Sequence, residues 1–326
     1  MIGEDILAFH HRVTVVDAHC DTVLSLADTG RRLGPRSDQG QVDLDRLAEG
    51  GVDVQFFAVC TQPRIRPEGS LLLAVRLLER LLAEIDSHAT RVGVARSAAD
   101  LEALAVAGRL AAVLALEGGE PLQGDLAVLN AFHRLGVRAI TLTWNLRNDL
   151  ADGVMERSGS GLTGFGLEVV EEMKRLGMLV DVSHLCVRAF WDVLEREPPV
   201  IASHSAASAL CPHPRNLTDD QLRGLAAQGG VVGVTFMPAL IDSDPARADL
   251  DRVADHILHI AAVAGPEHVG LGSDFDGMGR GPRGLEDATC FPALTARLFE
   301  RGLNHREVEG ILGGNFLRAL QQIREG

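Results

Sequence analysis

The sequence predicts an α/β protein built as a (β/α)8 TIM barrel, and three observations lead there. Eight short apolar runs recur along 326 residues, helical patterns separate them, and five of the runs stop on a side chain able to ligate a metal. Continuous apolar runs without alternation are what strands buried on both faces look like, and parallel sheets bury both faces. Eight strands with their helices need about 250 residues, so the chain has room for insertions and a C-terminal helical extension. A single catalytic domain over residues 1–326 is the organisation expected.

The elements follow in order. A β-branched run from Thr14 enters Asp17-Ala18-His19-Cys20-Asp21. Residues i and i+2 of an extended chain point to the same side, so His19 and Asp21 are expected to address one point while Cys20 turns away to pack. Asp53 to Val59 is the second strand, and Leu71 to Ile85 carries leucines at helical spacing. Ala111 to Leu116 is the third strand and stops at Glu117. Gly124 to Leu135 reads as a helix ended by Gly136, and Ala139 to Thr143 is a strand before Trp144. Gly166 to Leu176 is a helix ended by Gly177, Leu179 to Ser183 stops at His184, and Pro199 to Ser203 stops at His204. Thr218 with Asp219 and Asp220 opens a helix reaching Ala227. Val231 to Phe236, the helix Leu250 to Ala264, and the strand His268 to Ser273 ending at Asp274 complete the pattern.

An open doubly wound sheet competes with this reading, but the Gly-x-Gly-x-x-Gly turn after the first strand is missing. Gly161 to Gly166 follows a polar loop and introduces a helix, which marks a turn.

Composition narrows the function classes. Hydrophobic content of 46% and 35 glycines suit a compact α/β enzyme with many strand-to-helix turns. A formal charge of -14 argues against a nucleic-acid partner, because a polyanion requires a basic surface. The N-terminus lacks a basic n-region with a long apolar stretch, and the apolar runs are too short to span a bilayer, so neither a secretory signal nor a membrane association is expected. Five cysteines, an odd number without Cys-x-x-Cys spacing, point to a reduced cytoplasmic protein.

In a barrel the strand C-termini converge on one mouth, so residues distant in sequence become neighbours there. Collected in that way, His19, Asp21, Glu117, His184 and His204 offer three imidazoles and two carboxylates. One metal takes fewer protein ligands and keeps an open position, whereas two metals sharing a bridging carboxylate use all five. Glu117 is the natural bridge. Nitrogen and oxygen donors without thiolates suit two zinc ions, with cobalt or manganese as substitutes.

At this point the residues match a known family. Asp17-Ala18-His19-Cys20-Asp21, Leu116-Glu117-Gly118, Asp181-Val182-Ser183-His184, Ala202-Ser203-His204-Ser205, Pro214-Arg215-Asn216-Leu217, Gly272-Ser273-Asp274-Phe275-Asp276-Gly277 and Gly313-Gly314-Asn315-Phe316-Leu317-Arg318 occur in a specific order and spacing. The chain thereby resembles, almost end to end, the membrane (renal) dipeptidase family of zinc peptidases, family M19, among the amidohydrolase-like barrels. The resemblance implies a metallo-dipeptidase in which His19, Asp21 and Glu117 hold one zinc and Glu117, His184 and His204 the other. A hydroxide bridging the two ions would be the nucleophile, and Asp274 would accept its proton and return one to the leaving amine. Arg215 matches the arginine that receives the substrate's C-terminal carboxylate, which suits a planar bidentate guanidinium. Dipeptides, including those with a D-residue at the C-terminus, are the implied substrates, and a homodimer the implied assembly.

One departure from the family pattern stands out. Many members carry a histidine after the fourth strand, thought to polarise the scissile carbonyl, and here that place is held by Trp144. An indole N–H donates a hydrogen bond but carries no positive charge, so oxyanion stabilisation would rest on the zinc ions with Trp144, Asn145 or Asn148 assisting. His213 is a candidate substrate contact two residues before Arg215, Asp276 either shares the role of Asp274 or caps its loop, and Asp181 is placed to orient a ligand. His10, His11, His88, His133, His256, His259 and His305 fall in helices, helix ends or the N-terminal arm and read as solvated or packed. Two alternatives remain: a metal-dependent hydrolase of another amide, such as an N-acyl amino acid or a cyclic amide, and a non-catalytic binding protein on the same fold.

Overall fold

A computed structural model describes residues 2–61 and 67–324. Its strands are β1 (Val16–Cys20), β2 (Val54–Cys60), β3 (Val92–Val94), β4 (Leu110–Glu117), β5 (Val137–Thr141), β6 (Leu179–Asp181), β7 (Val200–Ser205), β8 (Val231–Val234) and β9 (Val269–Leu271). Every pairing among them is parallel, in the order β2-β1-β9-β8-β7-β6-β5-β4-β3, and a further β2–β4 pairing closes the ring. Among the described residues β3 pairs only with Leu110–Ala112 of β4, on the edge that β5 takes over from Leu114 onward. Without β3 the ring has eight staves, and these are the eight runs expected from the sequence. β3 itself went unread because three residues around Gly93 make no apolar run.

The helices begin and end where local chemistry dictates. Thr218 accepts from the backbone N–H of Gln221 and receives that side chain on its own N–H, a capping box that starts Asp219–Ala227. Leu126–Leu135 and Gly164–Leu176 end at Gly136 and Gly177, both in the left-handed region. Pro67–Ser87 is longer than the expected Leu71 to Ile85, and Leu250–Ala264 matches its expected span.

Two apolar layers result. Outward residues of the strands pack under the helices, and inward ones such as Val16, Val54, Val113 and Ile201 fill the barrel together with Phe316. Phe316 belongs to Asn315–Leu320 in the C-terminal segment, so this helix plugs the barrel end opposite the ligand-bearing mouth. Among the described residues no helix is long and apolar enough to cross a membrane.

Candidate metal centre

The five expected ligands meet at the mouth, and two of the three histidines get there through β-bulges. Between the pairings Asp17↔Gln55 and Cys20↔Phe57, β1 has one residue more than β2. Between Ala202↔Val232 and Ser205↔Val234, β7 has one more than β8. An extra residue reverses which face the following side chains address. It sends Cys20 into the outer layer, where its thiol donates to the Phe56 carbonyl at 3.3 Å, and brings His19 and His204 together with ring centroids 3.7 Å apart. The bulge at Ser203 also explains two glycines. A Cβ on Gly233 or Gly272 would lie 2.0 or 1.8 Å from the Ser203 carbonyl oxygen, so neither position admits a side chain.

Asp21 reaches the cluster by a different route from the extended alternation expected. It lies beyond β1 with φ -92° and ψ 21°, as the N-cap of the helix Thr22–Thr29. Its Oδ2 nevertheless stands 3.8 Å from Nε2 of His19. His184 and Asp274 also leave their strands with φ 66° each, the left-handed region that non-glycine residues rarely occupy and that recurs at functional sites.

Glu117 is the hub. Its Oε1 lies 3.0 Å from Nε2 of His184, 3.5 Å from Nε2 of His204 and 3.8 Å from Nε2 of His19. Donors that share one tetrahedral ion at about 2.0–2.2 Å sit roughly 3.3 Å from one another, and these separations bracket that value. Nε2 of His19 is buried and has no hydrogen-bond partner among the described residues. The other two imidazoles are aimed by neighbours: Nδ1 of His184 donates to Oδ1 of Asn145 at 2.8 Å, and Nδ1 of His204 to Oγ of Ser203 at 2.8 Å. The Ser203 hydroxyl in turn donates to Asp181 at 2.5 Å. With Nδ1 protonated, each neutral ring presents a lone pair at Nε2, and those two nitrogens face each other at 2.9 Å. Two lone pairs at that distance repel unless a cation takes both, so the donor set fits metal ions.

Electrostatics agrees. Burial holds His184 and His204 well below the ordinary imidazole range, keeping them neutral as ligands require. For His19 burial also disfavours charge, but Glu117, Asp21 and Asp274 outweigh it and raise its pKa to about 10. The carboxylates around it therefore demand positive charge. Burial, reinforced by Asp21, raises Glu117, and the Cys60 thiol, level with Glu117 in the β2–β4 register, hydrogen-bonds to its carboxylate. Burial likewise raises Asp274, whose Oδ2 accepts from Thr235 at 3.4 Å.

Two further buried carboxylates hold the ligand strands. Asp181 accepts from Thr141 Oγ1, from the Ser183 and Ser203 amides and from the Ser203 hydroxyl. Asp17 accepts from the Ser273 amide and hydroxyl, both at 2.7 Å, and from Gln55 at 2.9 Å. Asp17 thereby ties β1 to the turn that carries Asp274, a role the sequence did not single out.

Above the ligands opens a cavity of about 580 Å³ whose wall includes Trp144, Asn145, His213, Arg215, Met237 and Leu240. Arg215 is 7% exposed, donates through Nη2 to the His204 carbonyl at 3.1 Å, and forms no ion pair with any described carboxylate. Asn148 does not line this wall: its amide donates to Leu142 O and Glu120 and accepts from the amides of Leu150 and Ala151, so it shapes the loop. Asp276 is engaged by Arg31 at 2.5 Å, by Thr22 and by the Gln41 amide, which makes it a loop anchor at the cavity edge. His10 and His256 are fully buried and hydrogen-bonded away from the mouth.

The comparisons with known proteins agree with this geometry. The family model for membrane dipeptidase, peptidase family M19, matches residues 4–325. Dipeptidase 3 of Mus musculus is 36% identical over 99% of this chain and 67% of its own length. An uncharacterised dipeptidase of Schizosaccharomyces pombe is 40% identical over 85% of this chain and 70% of its own. Among solved structures, a family M19 metallo peptidase described as dipeptidase AC superposes with a TM-score of 0.89 at 31% identity, covering 96% of this chain and 99% of its own. A metallo peptidase from Rhodobacter sphaeroides, liganded with a phosphinate mimic of L-Ala-D-Ala, reaches 0.90 at 30% identity with the same coverage. With matches of this extent on a barrel whose mouth gathers the expected ligands, the chain belongs to the membrane dipeptidase family, peptidase family M19, and is a peptide hydrolase.

Proposed function

We propose that the protein is a dinuclear zinc dipeptidase acting on dipeptides with a free C-terminal carboxylate, L,D-dipeptides among them. The observation that carries this reading is one carboxylate oxygen, Oε1 of Glu117, placed 3.0–3.8 Å from three imidazole Nε2 atoms. His19, Asp21 and Glu117 would hold one ion, and Glu117, His184 and His204 the other. When bound, the ions supply a water acidified toward a pKa of about 7 and polarise the scissile carbonyl.

The chain's own residues do the rest. Arg215, buried without a carboxylate partner among the described residues, binds the substrate carboxylate and sets the distance from it to the scissile bond. A longer peptide has no carboxylate at that distance, which confines the enzyme to dipeptides. Asp274 takes the proton released by the attacking water and passes it to the departing amine. Its raised pKa, due first to burial, suits a group that must both accept and deliver a proton near neutrality. Trp144, beside His184 with ring centroids 6.1 Å apart, stands at the cavity wall and offers an indole N–H to the substrate. The inclusion of L,D-dipeptides is supported by the L-Ala-D-Ala mimic held by the Rhodobacter sphaeroides relative.

The test is hydrolysis of L,L- and L,D-dipeptides by metal-stripped protein, with and without zinc, beside the same peptides amidated at the C-terminus. Zinc-dependent cleavage of the free acids alone is expected, and replacing Arg215 by Met should raise KM steeply with a smaller effect on kcat. Cleavage of none of them by protein holding two zinc ions per chain would sink the reading and point to another amide.

A further inference from the structure

We infer that His213 is a second donor to the substrate carboxylate, so that Arg215 and His213 form a two-part clamp that reads both carboxylate oxygens. This inference rests on the dipeptidase reading and deepens it.

The geometry of the loop after β7 carries the argument. The backbone N–H of Arg215 donates to Nδ1 of His213 at 3.2 Å, which requires a lone pair on that nitrogen. The ring's proton is then on Nε2, which has no partner among the described residues, and the ring lines the cavity beside Arg215. The turn holding the pair is tied by backbone and side-chain hydrogen bonds. The His213 amide donates to Cys211 O at 2.8 Å, the Asn216 amide to His213 O at 2.9 Å, and the Asn216 side chain donates to Cys211 O and Leu240 O. Arg215 already gives one N–H to the His204 carbonyl. A neutral donor two residues away adds a second, separately placed group that the carboxylate can accept from. Burial and the Arg215 charge hold the His213 pKa below its ordinary value, so the ring is a neutral donor at neutral pH.

Two donors facing one group discriminate. A carboxylate accepts from both, whereas a carboxamide presents its own N–H to one of them and leaves that donor opposed. The clamp thus selects free acids over C-terminal amides and over longer peptides.

Two variants separate this role from mere support of the loop. His213→Asn keeps an acceptor where Nδ1 lies but has no donor at the Nε2 position, and His213→Gln keeps a donor near Nε2. A hydrogen bond to a charged group is worth enough for a change of about ten-fold or more. We expect His213→Asn to raise KM for L-Ala-D-Ala about ten-fold with kcat within two-fold, and to lower selectivity for the acid over its amide similarly. His213→Gln should recover most of both. Zinc content and thermal unfolding of each variant verify the fold. Wild-type KM and selectivity in His213→Asn would reduce the ring to a loop support and overturn the clamp while leaving the dipeptidase reading intact. Failure of the wild-type enzyme to cleave any dipeptide would overturn both.

Discussion

Nε2 of His184 and Nε2 of His204 face each other at 2.9 Å while each ring donates through its other nitrogen. Such a contact is favourable only with positive charge between the rings, and Glu117 brings a carboxylate oxygen within 3.5 Å of both. Removing the metals should therefore destabilise the whole barrel as well as stop turnover. A ligand at a thousand times its dissociation constant adds about 4 kcal/mol, or roughly 6 °C in a domain of this size. Calorimetry before and after chelation measures it. An unchanged melting temperature after verified metal loss would mean that the cluster is stable empty.

Asp274 offers a cleaner separation of chemistry from binding. Its φ of 66° tolerates Asn better than any β-branched residue, so Asp274→Asn preserves the backbone while removing the carboxylate. Loss of kcat by about 10²–10⁴ is expected from the loss of a positioned proton carrier, with zinc content retained. Equal loss of zinc and activity would instead make Asp274 a ligand.

Much of this was legible in the sequence. The eight barrel strands were visible because parallel strands buried on both faces need unbroken apolar runs, and the ligands because five of those runs stop on a side chain able to bind a metal. The route of His19 and Asp21 to a common point was not. Alternation along an extended chain would place them together, but the structure uses a bulge before Cys20 and the N-cap of Thr22–Thr29. A bulge depends on the register of the neighbouring strand, which single-strand periodicity cannot contain. For the same reason Ser203, Asp17 and Asn145 escaped notice as supports of the ligands. Asn148 was expected to meet substrate, yet its amide is spent on the loop backbone and Glu120, a local closure that its residue type alone does not reveal.

The bulge at Ser203 makes its own prediction. Gly233→Ala would put a methyl 2.0 Å from the Ser203 carbonyl, and Ser203 links Asp181 to His204. Overpacking of this kind costs about 1–3 kcal/mol, and disturbing a ligand's support costs about 10–100-fold in metal affinity. Zinc titration against a competing chelator checks the second effect. Loss of stability with unaltered zinc affinity would show that the Ser203 linkage does not tune the site.

His256 predicts how the loop bearing the carboxylate clamp responds to acid. The fully buried ring accepts the Ala207 N–H on Nδ1 at 3.0 Å and donates from Nε2 to Ile241 O at 3.0 Å, so it must be neutral. Burial lowers its pKa to about 4, below the 6.5 of an unfolded chain. The unfolded state therefore binds more protons between those values, and stability rises with pH there. The contribution is fully present above pH 6.5, declines as pH falls toward 4, and amounts to about 3 kcal/mol. Ala207 opens the segment leading to Arg215, so acid should loosen that segment along with the fold. Urea unfolding of metal-free wild type and His256→Gln across pH 4–8 tests this. The wild-type curve should be steeper in the acid range, by up to about 1.4 kcal/mol per pH unit. Parallel curves would mean that protonation of His256 is not what acid exploits.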